Sequence, residues 1–416
     1  MGFEDIQDPG KLLEAAERRP AVLRNRNFLL LWIGQLVSQV GDRIHAIALM
    51  WWVLETTGSA ALMGTVLIFA TIPSVVFGPF AGGYVDRWNR KVVIVAMDFV
   101  RGAIILGIAV MAIRGTLEVW QILVATAGVS LASVLFGPAV NATIPNLVRP
   151  SEITRANSLS QMVTQGTGIA GPALGGVLVA VWGVGGVFLL NGFSYVASAL
   201  SELFIQVPET VRKEQGRRRI LSDVVDGYRF VRENATIFGF LRIAAILNFF
   251  TAPFAILLPL ITKEVLGRGA ESLGVMTAAF SVGFLLASAV LAVLKERRRK
   301  HPWIILGIAL AGVAMVLMGV FIDFTSYLAL IGTVGVTLGV ANILIMSYIQ
   351  GVVPDDKRGR VFGFMMTLSG GLQPLAFAVF GLVADHVPIP YILWTAGAAL
   401  FIGGLSLYAV PGMREI

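Results

Sequence analysis

The 416-residue sequence predicts an all-α membrane protein of twelve spanning helices in two pseudo-symmetric six-helix halves. Three observations predict it: a composition too apolar for a water-soluble fold, twelve apolar segments of bilayer length, and a pairwise echo between the first six and the last six. Hydrophobic residues make up 56% of the chain and charged residues 14%, with a mean hydropathy of +0.80. A soluble core of this size cannot bury so much apolar surface, so lipid is the solvent. The 46 glycines suit close approach of membrane helices, and the 17 prolines read as kinks and helix ends.

The apolar spans fall near 28–54, 59–83, 92–113, 118–140, 158–182, 186–206, 239–264, 272–294, 303–322, 326–349, 361–384 and 391–410. Helices of about 20 residues fit a hydrocarbon core of about 30 Å. Connections after even-numbered spans are basic, and those after odd-numbered spans are nearly uncharged. Counting both termini with the first set, 27 Lys and Arg lie on one face and three, Arg114, Lys263 and Arg268, on the other. That asymmetry places both termini in the cytoplasm. It also accounts for the net charge of +7 through an anionic lipid surface, with no nucleic-acid partner.

Residues 1–27 mix five bases with five acids and contain no apolar run. They read as a cytoplasmic segment and not as a cleavable signal. The halves are then 28–206 and 239–410, with a cytoplasmic tail at 411–416. In the linker, 207–238, Leu221, Val224, Val225, Tyr228 and Val231 recur at helical spacing. Two readings stand, an amphipathic helix on the inner leaflet or a plain tether.

The halves echo each other. Val148-Arg149-Pro150-Ser151-Glu152 precedes span 5 as Val353-Pro354-Asp355-Asp356 precedes span 11. Gly171-Pro172 inside span 5 has its counterpart in Gln373-Pro374 inside span 11, and the proline offsets are 204 and 202 residues. A six-plus-six duplication explains both.

With no cysteine and three scattered histidines, the chain offers neither thiolate chemistry nor a metal cluster. No Gly-x-x-x-x-Gly-Lys-Ser/Thr pattern occurs, which argues against ATP hydrolysis. The expectation is a protein without cofactor, metal or catalytic residues, and not an enzyme.

Span 1 carries a polar stripe: Gln35, Ser38, Gln39, Asp42 and His45 fall within about 120° of one face. Asp42 lies about 21 Å along the axis from Phe28. An acid so deep costs roughly 2.5–3.5 kcal/mol and normally faces the bundle interior or a water-filled cavity on an ion or substrate path. Asp42 is therefore a candidate for proton coupling, or else a buried partner for an arginine. Arg43 points about 100° away and either snorkels or meets an acid on another helix. Span 6 presents a second stripe, Asn191, Ser194, Tyr195, Ser198 and Glu202. Glu202 is a second coupling candidate, or an acid that reaches the headgroups, being six residues before Pro208. Gln35, Gln39, His45, Asn191, Tyr195, Asn248 and Asn342 are candidates for lining a substrate cavity.

The loop Gly82-Gly83-Tyr84-Val85-Asp86-Arg87-Trp88-Asn89-Arg90-Lys91 sets dense charge between two spans. It resembles the signature loop between helices 2 and 3 of the major facilitator superfamily, with Asn89 where that pattern usually has glycine. The resemblance implies that fold, with parallel halves and a substrate site near mid-membrane. It also implies that Asp86 sits near the start of span 11 and, with Gly82, Arg87 and Arg90, takes part in a conformational switch. Asp98 and Arg101, three apart in span 3, share a face and can pair. They either extend that charge network or form a structural ion pair.

Gly171-Pro172-Ala173-Leu174-Gly175-Gly176 resembles the antiporter motif of drug-exporting members. The stretch Arg26-Asn27-Phe28 to Ser38, the Gly41-Asp42 step, Ala48 to Trp52 and Thr57-Gly58-Ser59-Ala60 resemble the macrolide-efflux and enterobactin-exporter branch. What this resemblance implies is a bacterial inner-membrane exporter, working as a monomer, that moves lipophilic or amphipathic small molecules outward by proton antiport. Sodium stays open as the coupling ion. A lysophospholipid flippase or a siderophore exporter of the same fold is the alternative.

Overall fold

A computed structural model describes residues 21–85, 87–207, 229, 231–233, 235–293, 300–353 and 355–410. Asp86, most of the linker with its expected amphipathic face, and the basic run 294–299 lie outside the described residues. Among the described residues every regular element is helical: α1 (Arg26–Thr57), α2 (Ala60–Val85), α3 (Arg90–Ile113), α4 (Val119–Leu147), α5 (Ile153–Leu203), α6 (Ala235–Thr251), α7 (Phe254–Leu260), α8 (Ala270–Val293), α9 (His301–Met318), α10 (Phe324–Val352), α11 (Asp355–Ala384) and α12 (Ile389–Ser406). Among them nine helical stretches are long and apolar enough to cross a membrane.

The remaining expected spans have physical explanations. Spans 5 and 6 are both contained in α5, which breaks at Gly183. There φ is +67° and ψ 172°, a conformation open to glycine without a Cβ penalty. The break divides α5 into arms 153–182 and 184–203. Span 1 lies within α1, where the polar stripe dilutes the apolar run. Span 11 keeps a shorter apolar stretch, Gly370–Ala384.

The chain divides into two compact units. One comprises residues 1–46, 73–171 and 181–218, the other 47–72, 172–180 and 219–416, so the division runs through α1, α2 and α5. In the first unit, Phe28, Leu31, Val85, Val93, Ile94, Phe136, Ile144, Leu147 and Ala156 form one apolar cluster at the ends of five helices. Asn25 ties two of these ends together. Its Oδ1 accepts from the Asn27 and Phe28 amides at 3.1 and 3.2 Å, capping α1. Its Nδ2 donates to the Leu147 carbonyl of α4 at 2.5 Å, satisfying a C-terminal acceptor that would otherwise be buried and unpaired. Asn89 Oδ1 accepts from the Val92 amide at 3.3 Å and caps α3. A glycine at that position has no side chain with which to do so.

In the second unit, helices meet through glycine. A Cβ on Gly307 of α9 would lie 2.7 Å from the Thr337 carbonyl of α10, and one on Gly397 of α12 would lie 2.6 Å from the Gly312 carbonyl of α9. Gly283 of α8 and Gly335 of α10 press in the same way on Gly332 and Phe280. Small residues replace the hydrophobic driving force that lipid removes. Gly176 and Gly274, on α5 and α8, have their Cα and amide positions close enough that a Cβ on Gly274 would lie 3.1 Å from Gly176. The expected span 239–264 is interrupted after Thr251, and Pro259 in α7 is followed by a wide turn over Ile261–Val265.

Two acids cap helices of this unit. Asp323 accepts from the Ser326 amide at 2.8 Å at the start of α10. Ser326 holds the Asp323 carboxyl below the usual carboxylate range, so the cap is present at neutral pH and fails only as pH falls through that lowered value. Asp385, just beyond α11, reaches the start of α2. It accepts from the Ala60 amide at 2.5 Å, the Ala61 amide at 3.2 Å and the Ser59 hydroxyl at 2.8 Å. Asp385→Ala is expected to lower the thermal unfolding midpoint of the detergent-purified protein, through loss of about 0.5–2 kcal/mol of cap energy. Asp385→Asn, which keeps one acceptor oxygen, should recover part of that loss.

Candidate functional site

Two close helix contacts in the first unit bring the predicted polar stripes together. On α1, Gly34 and Gly41 lie seven residues apart on one face and rest on the 184–203 arm of α5. A Cβ on Gly34 would lie 2.7 Å from Ser201 Oγ and 3.0 Å from Ser198 Oγ, and one on Gly41 would overlap Ser194 and Asn191. On α3, Gly102 faces the same arm, 3.3 Å from the Gly192 carbonyl and 3.4 Å from Tyr195 Cβ by the same measure. With side chains absent at the crossings, the polar groups on either side meet directly.

All but the Gln39–Thr164 pair belong to one connected network. Tyr195 donates its hydroxyl to Asp42 Oδ1, and the Asn191 amide faces the same carboxylate. Arg101 donates from Nη2 to Asp98 Oδ1. Its guanidinium carbon also lies 3.8 Å from the Phe136 ring centroid and 4.6 Å from that of Tyr195, a cation–π sandwich. Gln35 Nε2 donates to Glu202 Oε1 at 3.2 Å, and Thr164 Oγ donates to Gln39 Oε1 at 3.2 Å. Arg101 stands close enough to Asp42 to act on it electrostatically. Asp98, Glu202 and Arg101 are 0%, 1% and 4% exposed, while Asp42, Gln35, Gln39 and Thr164 at the network's edge are partly exposed.

The other predicted residues fall as follows. His45 stacks on Phe188, with centroids 4.7 Å apart, and its Nδ1 is buried with no hydrogen-bond partner. Asn191 and Tyr195 are buried within the unit. Asn248 donates to the Ala244 carbonyl of its own helix at 3.0 Å, and Asn342 is exposed. Gly82 and Arg87 are exposed, while Arg90 Nη1 donates to the Ala142 carbonyl of α4 at 2.9 Å. Gly171 receives the stem of Arg43, whose Cγ would lie 3.0 Å from a Cβ there. Pro172, Gly175 and Gly176 are buried while Leu174 is exposed, and Pro172 and Gly176 face the start of α8.

Glu202 is 1% exposed, and Gln35 holds its carboxyl inside the unit. The pairing of Asp98 with Arg101 follows the expectation from their spacing. What sequence reasoning missed was their connection to span 6. The signal for it was present in Gly34, Gly41 and Gly102 facing Ser194, Ser198, Ser201 and Gly192.

A family model described as transmembrane secretion effector matches residues 19–415. Macrolide efflux protein A of Streptococcus pyogenes is 22% identical over 392 residues, covering 94% of this chain and 97% of that protein. The multidrug efflux pump Tap of Mycolicibacterium fortuitum is 24% identical over 399 residues, covering 93% and 96%. Among solved structures, a bacterial homologue of the iron transporter ferroportin in an inward-facing state superposes with a TM-score of 0.75 at 17% identity, covering 94% of this chain and 99% of that one. The nucleoside transporter NupG does so at 0.77 and 11%, covering 92% and 100%. At these identities the structures establish the shared fold.

The glycine crossings lead to a direct expectation. Gly41→Val forces a side chain into Ser194 and Asn191 and should cost about 1–3 kcal/mol, read as a lower unfolding midpoint and a smaller monodisperse fraction on size-exclusion chromatography. Gly82→Ala, with nothing within 4 Å of the added Cβ, should leave both unchanged.

Proposed function

The chain belongs to the transmembrane secretion effector family, in the drug-efflux branch of the major facilitator superfamily, and we propose that it exports lipophilic or amphipathic small molecules by proton antiport. The observation that carries this reading is the network around Asp42. An ionisable group inside a membrane helix is costly and is normally retained for a proton, ion or substrate path. Asp42 is the partly exposed acid of the network, and Tyr195 and Arg101 are positioned to stabilise its ionised form. Proton binding at Asp42 removes the charge that holds Tyr195 and Arg101 toward α1. Substrate and proton then compete for one arrangement of α1 against the 184–203 arm, and alternating access turns that competition into exchange.

The family's efflux members, named for macrolides and for multiple drugs, support the direction and the broad substrate class. A bacterial inner-membrane location and monomeric action complete the reading, together with cytoplasmic termini, which the charge asymmetry of the loops supports. Glu202 is the second acid of the proton path. Asp86, Gly82, Arg87 and Arg90 remain the proposed conformational switch, on the strength of the loop motif.

Reconstituted proteoliposomes loaded with a lipophilic cationic dye test this reading. Wild type should move dye against its gradient when a pH difference is imposed and stop when a protonophore collapses it. Asp42→Asn should retain dye binding within about threefold and lose gradient-driven movement. If wild type moves no dye but transfers labelled lysolipid irrespective of the pH difference, the lipid-flippase reading replaces antiport. Dependence on a sodium gradient alone would assign sodium as the coupling ion.

A further inference from the structure

The network holds more acid than its one buried base can neutralise. Asp42, Asp98 and Glu202 all face Arg101, and Arg43, which also acts on Asp42, is exposed with its stem along Gly171. If all three acids were ionised, Arg101 would offset one and leave two negative charges in the unit's interior. Burial without compensation is what proteins avoid, by pairing or by protonation.

The hydrogen bonds identify where the extra proton must be. Asp98 on α3 and Glu202 on α5 lie within hydrogen-bonding reach of each other, with Ser198 beside both. Asp98 Oδ1 takes Arg101, and Glu202 Oε1 takes Gln35 at 3.2 Å and Ser198 at 3.4 Å. Asp98 Oδ2 and Glu202 Oε2 are buried and receive no donor from the protein. Ser198 carries a single hydroxyl proton and cannot serve every free acceptor. Two facing carboxyls, each with an orphan oxygen, are satisfied together by one proton held between them, and two carboxylates at such range do not both ionise.

We infer that Asp98 and Glu202 share a single proton beside Arg101, and that this pair is the second station of the proton path that begins at Asp42. The relay role rests on the antiport reading, whereas the shared proton does not. Tyr195 links the two stations, its hydroxyl on Asp42 and its ring under the Arg101 guanidinium. Tyr195 and Arg101 therefore couple the two stations electrostatically. The charged and titratable groups acting on the pair are thus Asp42 from α1, Arg101 from α3 and Tyr195 from α5.

Difference infrared spectroscopy of the purified full chain, in water and heavy water at neutral pH, reads this proton without any transport step. In an Asp42→Asn background a protonated-carboxyl band equivalent to one group per chain is expected. Adding either Asp98→Asn or Glu202→Gln should remove it. A band that survives either substitution places the proton on one acid alone and overturns the pair, as does the absence of any band in the background variant. Should an amide variant fail to fold, Asp98→Glu and Glu202→Asp give the same reading, because each should shift the band and a band indifferent to both refutes the proposal. If the pair-dependent band is present and reconstituted wild type shows no proton-driven efflux, the shared proton stands and the antiport reading falls. If efflux is proton-driven and the band is missing, the reverse holds.

Discussion

Among the described residues Arg101 is the one buried Lys or Arg, and the arrangement of the first unit follows from what a guanidinium demands in a low-dielectric interior. It cannot lose its proton, so it must be surrounded by acids, acceptors and aromatic faces. Asp98 supplies the acid one turn away, and Phe136 and Tyr195 supply the faces. These groups come from α3, α4 and α5, and Tyr195 extends the set to Asp42 on α1. Four helices are therefore placed with respect to one ion. Moving any of them by an ångström would leave a buried charge or polar atom without its partner.

That requirement explains why the crossings are made of glycine and serine. A direct hydrogen bond between side chains on neighbouring helices requires axes closer than leucine or valine allows, and Gly34, Gly41, Gly102 and Gly192 provide the approach. In the second unit the same device appears without charge. Gly283, Gly307, Gly312, Gly335 and Gly397 bring α8, α9, α10 and α12 into backbone contact around an apolar interior. The two units thus use one packing rule for different ends, electrostatic connection in one and close mechanical fit in the other.

Much of this was readable in the sequence, because membrane solvation leaves few choices. Apolar runs of bilayer length located the helices, and the spacing of Gln35, Asp42, Tyr195 and Glu202 identified the faces that carry polar groups. The pairing of Asp98 with Arg101 followed from an interval of three. Less readable was which stripe meets which, since helical periodicity orients a side chain on its own axis and says nothing of its neighbour's rotation. The role of Asn89 as a cap and the break at Gly183 were also hidden, each depending on one residue's backbone angle. Asp385 gave no signal at all, because its partners lie more than 300 positions earlier in the chain.

That distance has a consequence for biogenesis. The first amides of α2 find their acceptor in a carboxylate 325 residues downstream of Ala60. At synthesis rates of roughly 5–20 residues per second, about 16–65 s separate the synthesis of Ala60 from that of Asp385. The local acceptor for the first turn of α2 is the Ser59 hydroxyl, which accepts from the Leu62 amide at 3.2 Å. The chain therefore carries a local cap for this helix end and a distant one that forms only after α11 has been made, so closure of this end reports synthesis through Asp385.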